Sequence, residues 1–206
     1  MKRRAVLLAP AAAALSMLAA CAQRRVHAQE DAEPLIKAAL AHLLAQPSEH
    51  PYGAVLDFSR HSAEPRFHLV ERASGEIVQR YAVAHGIGSA APSDDGYAAV
   101  FSNIEGSEAS SLGLYRTGDT YMSEQVGHGL SMRLHGLSSS NSNAYKRLIV
   151  IHAHWYMDPR NIRERGSAGL SEGCMVFSYR DRDVVVERLK GGALILAVND
   201  FADLQA

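Results

Sequence analysis

Apolar residues recur at helical spacing over Ile36, Leu40, Leu43 and Leu44, with Pro34 at the start and Pro47 ending the run, which predicts one helix. Beyond it the pattern changes. Short alternating or β-rich runs follow, separated by Gly, Ser, Asn and Asp: Ala54 to Phe58, Phe67 to Val70, Val78 to Ala84, Leu112 to Tyr115, Met132 to Leu134 and Arg147 to His152. A helical stretch is predicted after these, capped by Asp158, with Pro159 at its first position and Gly166 at its end. A loop, Ser167 to Gly173, leads to Cys174. A last helix runs from a cap at Ser178, with Asp181 three residues on, to Gly191, its Val185 and Leu189 side facing the sheet. Ala193 to Val198 returns as a strand. The fold class is therefore mainly β with a few short helices.

The N-terminal residues follow another pattern. Lys2, Arg3 and Arg4 precede an apolar run, Ala5 to Ala20, too short to span a bilayer comfortably, which reads as an export signal over residues 1–20. Residues 21–34 then form a polar tether and 35–206 the folded body. Leu18, Ala19, Ala20 and Cys21 resemble the lipobox of bacterial lipoproteins. That resemblance implies a lipidated Cys21 and, with Ala22 next, a periplasmic protein anchored in the outer membrane. The other reading is cleavage after Val26, His27 and Ala28, which gives a soluble periplasmic protein. The twin-arginine pattern at Arg3 and Arg4 is incomplete.

Composition narrows the partners. Loss of the signal lowers Lys plus Arg from 21 to 18 against 22 Asp plus Glu, and nothing in this acidic balance suggests a nucleic-acid partner. The length suits one domain, with no internal repeat. Of two cysteines, Cys21 belongs to the signal, so Cys174 has no intramolecular disulfide partner. A lone thiol in an exported protein reads either as a reactive group or as a small buried hydrophobe.

The reactive reading gains from His152, at the end of the run Leu148, Ile149, Val150, Ile151. A Cys and a His brought together can form a thiolate–imidazolium pair suited to acyl transfer. The order His152, then Ser171, Glu172, Gly173, Cys174, resembles the catalytic signature of the L,D-transpeptidases of the YkuD superfamily. Further blocks resemble the branch known as murein L,D-transpeptidase catalytic domain proteins: Val83 to Ser89, Phe101 to Asn103, Gly106 and Ser107, Ser110 to Gly118, Leu130 to Gly136, and Asn143 with Ala144. Together they cover roughly Val55 to Val198.

That resemblance implies a YkuD-like β-sandwich or barrel-like catalytic fold that works without a cofactor and remakes peptidoglycan stem peptides. Cys174 matches the nucleophile and His152 the base, with the Ala153 carbonyl orienting the imidazole. Gly173 and Cys174 N–H groups would form an oxyanion hole. His85 and His135, with Ser171 and Glu172 of the motif, would lie on the stem-binding side, although a buried or loop histidine is the plainer reading of His85 and His135. Carbapenem β-lactams would acylate the thiol. The chain departs from the branch at Leu170, where Arg is common, and at Met175, where Pro is common; Glu172 replaces the His of the wider superfamily. These departures keep open a wall-associated binding lipoprotein with the same fold and little turnover.

No metal is expected. His152 and His154 share a strand face, but no second Cys or acidic motif completes a zinc set with Cys174. Tyr97, Tyr121, Trp155 and Tyr156 could grip a substrate or simply pack.

Overall fold

The computed structural model describes residues 34–205, so the signal, the tether residues before Pro34 and Cys21 lie outside the described residues. Ten strands and three α-helices follow in chain order: α1 (Pro34–Ala45), β1 (Tyr52–Asp57), β2 (Phe67–Glu71), β3 (Glu76–Tyr81), β4 (His85–Gly86), β5 (Gly113–Met122), β6 (Leu130–Gly136), β7 (Val150–Ala153), α2 (Pro159–Arg165), β8 (Leu170–Ser171), β9 (Met175–Phe177), α3 (Tyr179–Leu189) and β10 (Leu194–Val198). Eight strands form one sheet in the order β3-β2-β1-β10-β5-β6-β7-β9, while β4 and β8 pair separately. The pairs β1–β10 and β7–β9 are parallel, and the other pairs of the large sheet are antiparallel.

Strands β10 and β7 are buried along their whole length, which explains why both read as unbroken apolar runs and not as alternation. On β1, Ala54 and Leu56 join the main core with Val185 and Leu189 of α3. The neighbouring Gly53 faces the other way, where a Cβ would sit 3.2 Å from Leu43 of α1. Because successive strand residues alternate faces, α1 and α3 cover opposite sides of the sheet. Helix α1 buries Leu35, Ile36, Ala39, Leu40 and Leu43, the spacing expected of one face.

The caps at Asp158, Gly166 and Ser178 form as expected, while the last helix ends at Leu189, two residues short of Gly191. Asp158 accepts from the Arg160 N–H, Gly166 takes a left-handed φ of 81°, and Ser178 accepts from the Asp181 N–H. Three strand expectations change. The run predicted from Val78 to Ala84 ends at Tyr81, and β4 then pairs with β8 inside the loop expected after α2. The strand predicted from Arg147 begins only at Val150, because Leu148 adopts φ 57° and residues 144–149 close a turn, with the Ile149 N–H donating to the Ala144 carbonyl. Strands β5 and β6 run well beyond their predicted cores and form a long antiparallel pair with an irregularity between Thr117 and Thr120.

Two of the buried histidines bear on stability. His68 on β2 has both ring nitrogens without a hydrogen-bond partner, and burial, aided by Arg80 and Arg60, pushes it down to about 4. His85 is also lowered to about 4, by burial first and then by Arg66. Each stays neutral in the folded protein but takes a proton in the unfolded chain below about 6.5. Stability from this source is complete above that value and is lost as pH falls toward 4. The urea midpoint is therefore expected to drop between pH 6.5 and 4.5, with a shallower drop in His68→Leu; identical slopes in both proteins would reject the assignment.

Candidate active site

The site begins with strand register. In the β7–β9 pair, Ile151 stands opposite Met175 and His152 opposite Val176, so Cys174, just before β9, continues the register two residues back from the His152 level, on the same face. Both side chains line one cleft of about 910 Å³, whose wall also carries His128, Arg133, Arg147, His154 and Glu172. Among the described residues Cys174 is a free thiol and no group of three or more His, Cys, Asp or Glu side chains could hold a metal ion.

The turn before Cys174 is tightly made. Ser171 Oγ accepts from the Gly173 N–H at 3.2 Å and donates to the Cys174 carbonyl at 2.9 Å. Gly173 has φ 102°, a conformation that favours glycine, and a Cβ there would stand 2.6 Å from the Ala109 carbonyl oxygen. Behind it, a Cβ on Gly86 would lie 2.9 Å from the Gly173 Cα, so β4 packs directly on the turn. The Ala109 carbonyl is also held by Arg147, whose guanidinium reaches the Ser102 carbonyl at 2.6 Å.

The imidazole is oriented from its other side. His152 Nδ1 lies 2.9 Å from the Ala153 carbonyl oxygen. A carbonyl can only accept, so Nδ1 carries the proton and Nε2 is left as the basic nitrogen. His128 stacks on the same ring, with centroids 3.6 Å apart and planes at 20°. The His128 segment is fixed by the buried Arg182 of α3, which donates to the His128 carbonyl at 2.8 Å and to the Leu130 carbonyl.

Protein packed around the half-buried Cys174 pushes its thiol up to about 11; the Val150 N–H and Arg147 oppose this and Glu172 adds to it. His152 is pushed down to about 4 by burial, against the pull of the Ala153 carbonyl, with His128, His154 and Arg182 lowering it further. The resting pair is thus a neutral thiol beside a neutral imidazole, not the ion pair that a Cys and a His can form. The thiol instead donates weakly to the Leu148 carbonyl, at 3.6 Å.

The structure separates the other candidate residues. Glu172 is exposed on the cleft wall and Ser171 touches it while bracing the turn. The Gly173 N–H, expected at the oxyanion hole, is donated to Ser171 Oγ because a serine two residues upstream closes a tight turn. His85 is fully buried and its Nδ1 accepts from Arg66 at 2.9 Å, so it supports the turn through β4 and does not line the cleft. His135 is exposed, stacked on Tyr145 with centroids 4.9 Å apart, and is also absent from the cleft wall. His128 was not legible as a site residue. Its one signal is its place between Gly127 and Gly129, which gives no hint of the ring it meets.

A family model described as L,D-transpeptidase catalytic domain matches residues 29–198. Solved structures similar to the chain include an L,D-transpeptidase from Mycobacterium smegmatis (13% identity, TM-score 0.43, covering 72% of this chain and 58% of that one). Another is the LD transpeptidase LdtMt1 in complex with imipenem (14%, 0.41, 72% and 59%). A third is the helical cell shape determining protein Pgp2 from Campylobacter jejuni (11%, 0.44, 78% and 55%). The chain thus spans less than two thirds of the length of these structures. No curated protein matches it.

The raised thiol has a measurable consequence. Only the thiolate is alkylated, so with the thiol at about 11 the iodoacetamide rate at Cys174 should rise about tenfold per pH unit from 7 to 9, without a plateau. A plateau below pH 8 would show that the ion pair forms at rest.

Proposed function

Since the chain belongs to the L,D-transpeptidase catalytic domain family, we propose that it is a thiol acyltransferase acting on peptidoglycan stem peptides, with Cys174 as nucleophile and His152 as base. The observation that carries this reading is the shared cleft: Cys174, just before β9, and His152 on β7 lie two residues apart in the strand register and line one cavity, and the Ala153 carbonyl holds the imidazole with Nε2 as its basic nitrogen.

In the proposed reaction, His152 Nε2 takes the thiol proton as the sulfur attacks a stem carbonyl. Proton transfer coupled to attack suits a pair that is neutral at rest, because no isolated thiolate has to survive in the packed site. The new carbon–sulfur bond leaves a tetrahedral oxyanion that needs N–H donors; removing one such donor typically costs about a hundredfold or more in rate. The intermediate collapses, the carbon–nitrogen bond breaks and His152 returns the proton to the leaving amine, which yields a thioester. With a tetrapeptide donor cut after its third residue, the leaving amine is D-alanine. An acceptor amine then gives a crosslink or an attached protein, whereas water gives L,D-carboxypeptidase action. His128, stacked on the base, limits how far the ring can turn during the two transfers.

A second reading is favoured by one observation. The raised thiol and lowered imidazole also suit a wall-associated binding protein with little turnover. Acylation by a carbapenem such as imipenem separates the two, since it requires both an activated sulfur and a stabilised oxyanion. A stable adduct on the wild-type chain by intact-mass spectrometry, absent in Cys174→Ala, is expected. Muropeptide turnover should be abolished in Cys174→Ala and lowered by orders of magnitude in His152→Ala. Undiminished turnover in purified Cys174→Ala protein would overturn the assignment.

The proposed place of action is the periplasmic face of the outer membrane, with Cys21 carrying the lipid and the tether spanning to the wall. Several acyl chains on one residue would give firm attachment, at roughly 0.8 kcal/mol per buried methylene. Cells fed an alkyne fatty acid should label the wild type and not Cys21→Ala. A mature N-terminus at Gln29 without lipid would instead mean cleavage after Ala28 and a soluble periplasmic enzyme.

A further inference from the structure

Arg133 of β6 lines the cleft that holds Cys174 and His152. Its guanidinium carbon lies 4.5 Å from the centre of the Tyr121 ring and 5.7 Å from that of Tyr145. Tyr145 is itself stacked on His135, so one of the rings holding the cation is positioned by its own neighbour. Aromatic rings hold a guanidinium through its flat face and leave its N–H edge available.

What Arg133 lacks is an acceptor. Among the described residues Arg60, Lys146, Arg160, Arg182 and Lys190 pair with carboxylates, and Arg133 does not. The other arginine of the cleft wall, Arg147, has its donors on the Ser102 and Ala109 carbonyls and on Ser107 Oγ. Arg133 is therefore the cleft guanidinium with unused donors. Glu108, Glu124 and Glu172, which share the wall, repel an anionic ligand elsewhere in the cleft and sharpen the preference for the Arg133 side.

We propose that Arg133 determines substrate specificity by binding a carboxylate of the donor stem through paired N–H donors. The proposal rests on the reading of stem peptides as the substrate. A stem tetrapeptide offers a C-terminal carboxylate and side-chain carboxylates, all of one chemistry. A charge-assisted, two-point contact in a partly closed cleft is strong enough to set affinity. It also explains why Tyr121, Tyr145 and His135 are assembled outside the catalytic pair: they hold the cation in place before the ligand arrives.

The test is calorimetric binding to Cys174→Ala protein, which removes turnover while leaving the cleft. The ligands are a stem tetrapeptide, its C-terminal amide and its side-chain amides. With Arg133 present, the acidic peptide should bind about tenfold or more tightly than one of the two amidated forms, and that form identifies the carboxylate. In Arg133→Gln the preference should vanish. In Arg133→Lys it should survive in part, because the charge remains without the fork. Loss of fold would weaken every peptide alike, whereas the proposal requires the acidic and amidated affinities to converge. Retained preference in Arg133→Gln, or equal binding of all three peptides by the parent, overturns the role of Arg133 and leaves the stem reading standing. Failure of the parent to bind any of the three removes the stem reading and this proposal with it.

Discussion

The parallel pairing of β7 with β9 is the constraint on which the cleft depends. It places the residue before β9, Cys174, two residues from the His152 level on the same face, although the connection between the two strands contains α2 and the short β8. A parallel pair cannot be closed by a tight turn and needs a crossover, so the length of chain between the two residues is a requirement of the geometry. The crossover is then used twice. Strand β8 pairs with β4, and that small sheet supports the turn that presents the sulfur.

Close packing at this turn leaves little freedom. Gly86 and Gly173 meet backbone to backbone, Arg147 ties the Ala109 carbonyl beside them, and Ser171 closes the turn from within. Precision of this kind favours a reaction in which the attacking atom must approach along one line. It also has an electrostatic consequence. Protein packed around Cys174 and His152 disfavours the charged form of each, so the resting site holds its proton on sulfur. A resting thiol is also less open to oxidation than a resting thiolate.

Histidine serves four different ends in this structure, and only position distinguishes them. His152 is oriented by a backbone carbonyl, His128 stacks on it, His85 is locked to a buried arginine, and His135 lies on an outer aromatic ring. The separation follows from strand alternation and depth. On β6, Met132 and Leu134 enter the core while Arg133 and His135 occupy the other face, and of these two only Arg133 reaches the cleft.

The sequence by itself determined the mainly β class, the helices with their caps at Asp158 and Ser178, and the central apolar strands, and it singled out Cys174 and His152 as candidates. These are local signals: periodicity, capping chemistry and a short motif act over a few residues and survive without knowledge of the partners. The family resemblance also pointed to the Ala153 carbonyl, a contact that joins adjacent residues. Only the tertiary structure decided which distant groups meet. His128 carries no motif and becomes part of the site because Arg182, 54 residues away, holds its carbonyl. His85 sits in a matching block yet is buried, since β4 pairs with β8 beneath the turn. The neutral state of Cys174 and His152 was likewise beyond the sequence, because desolvation is set by everything packed around a group and not by the residues beside it in the chain.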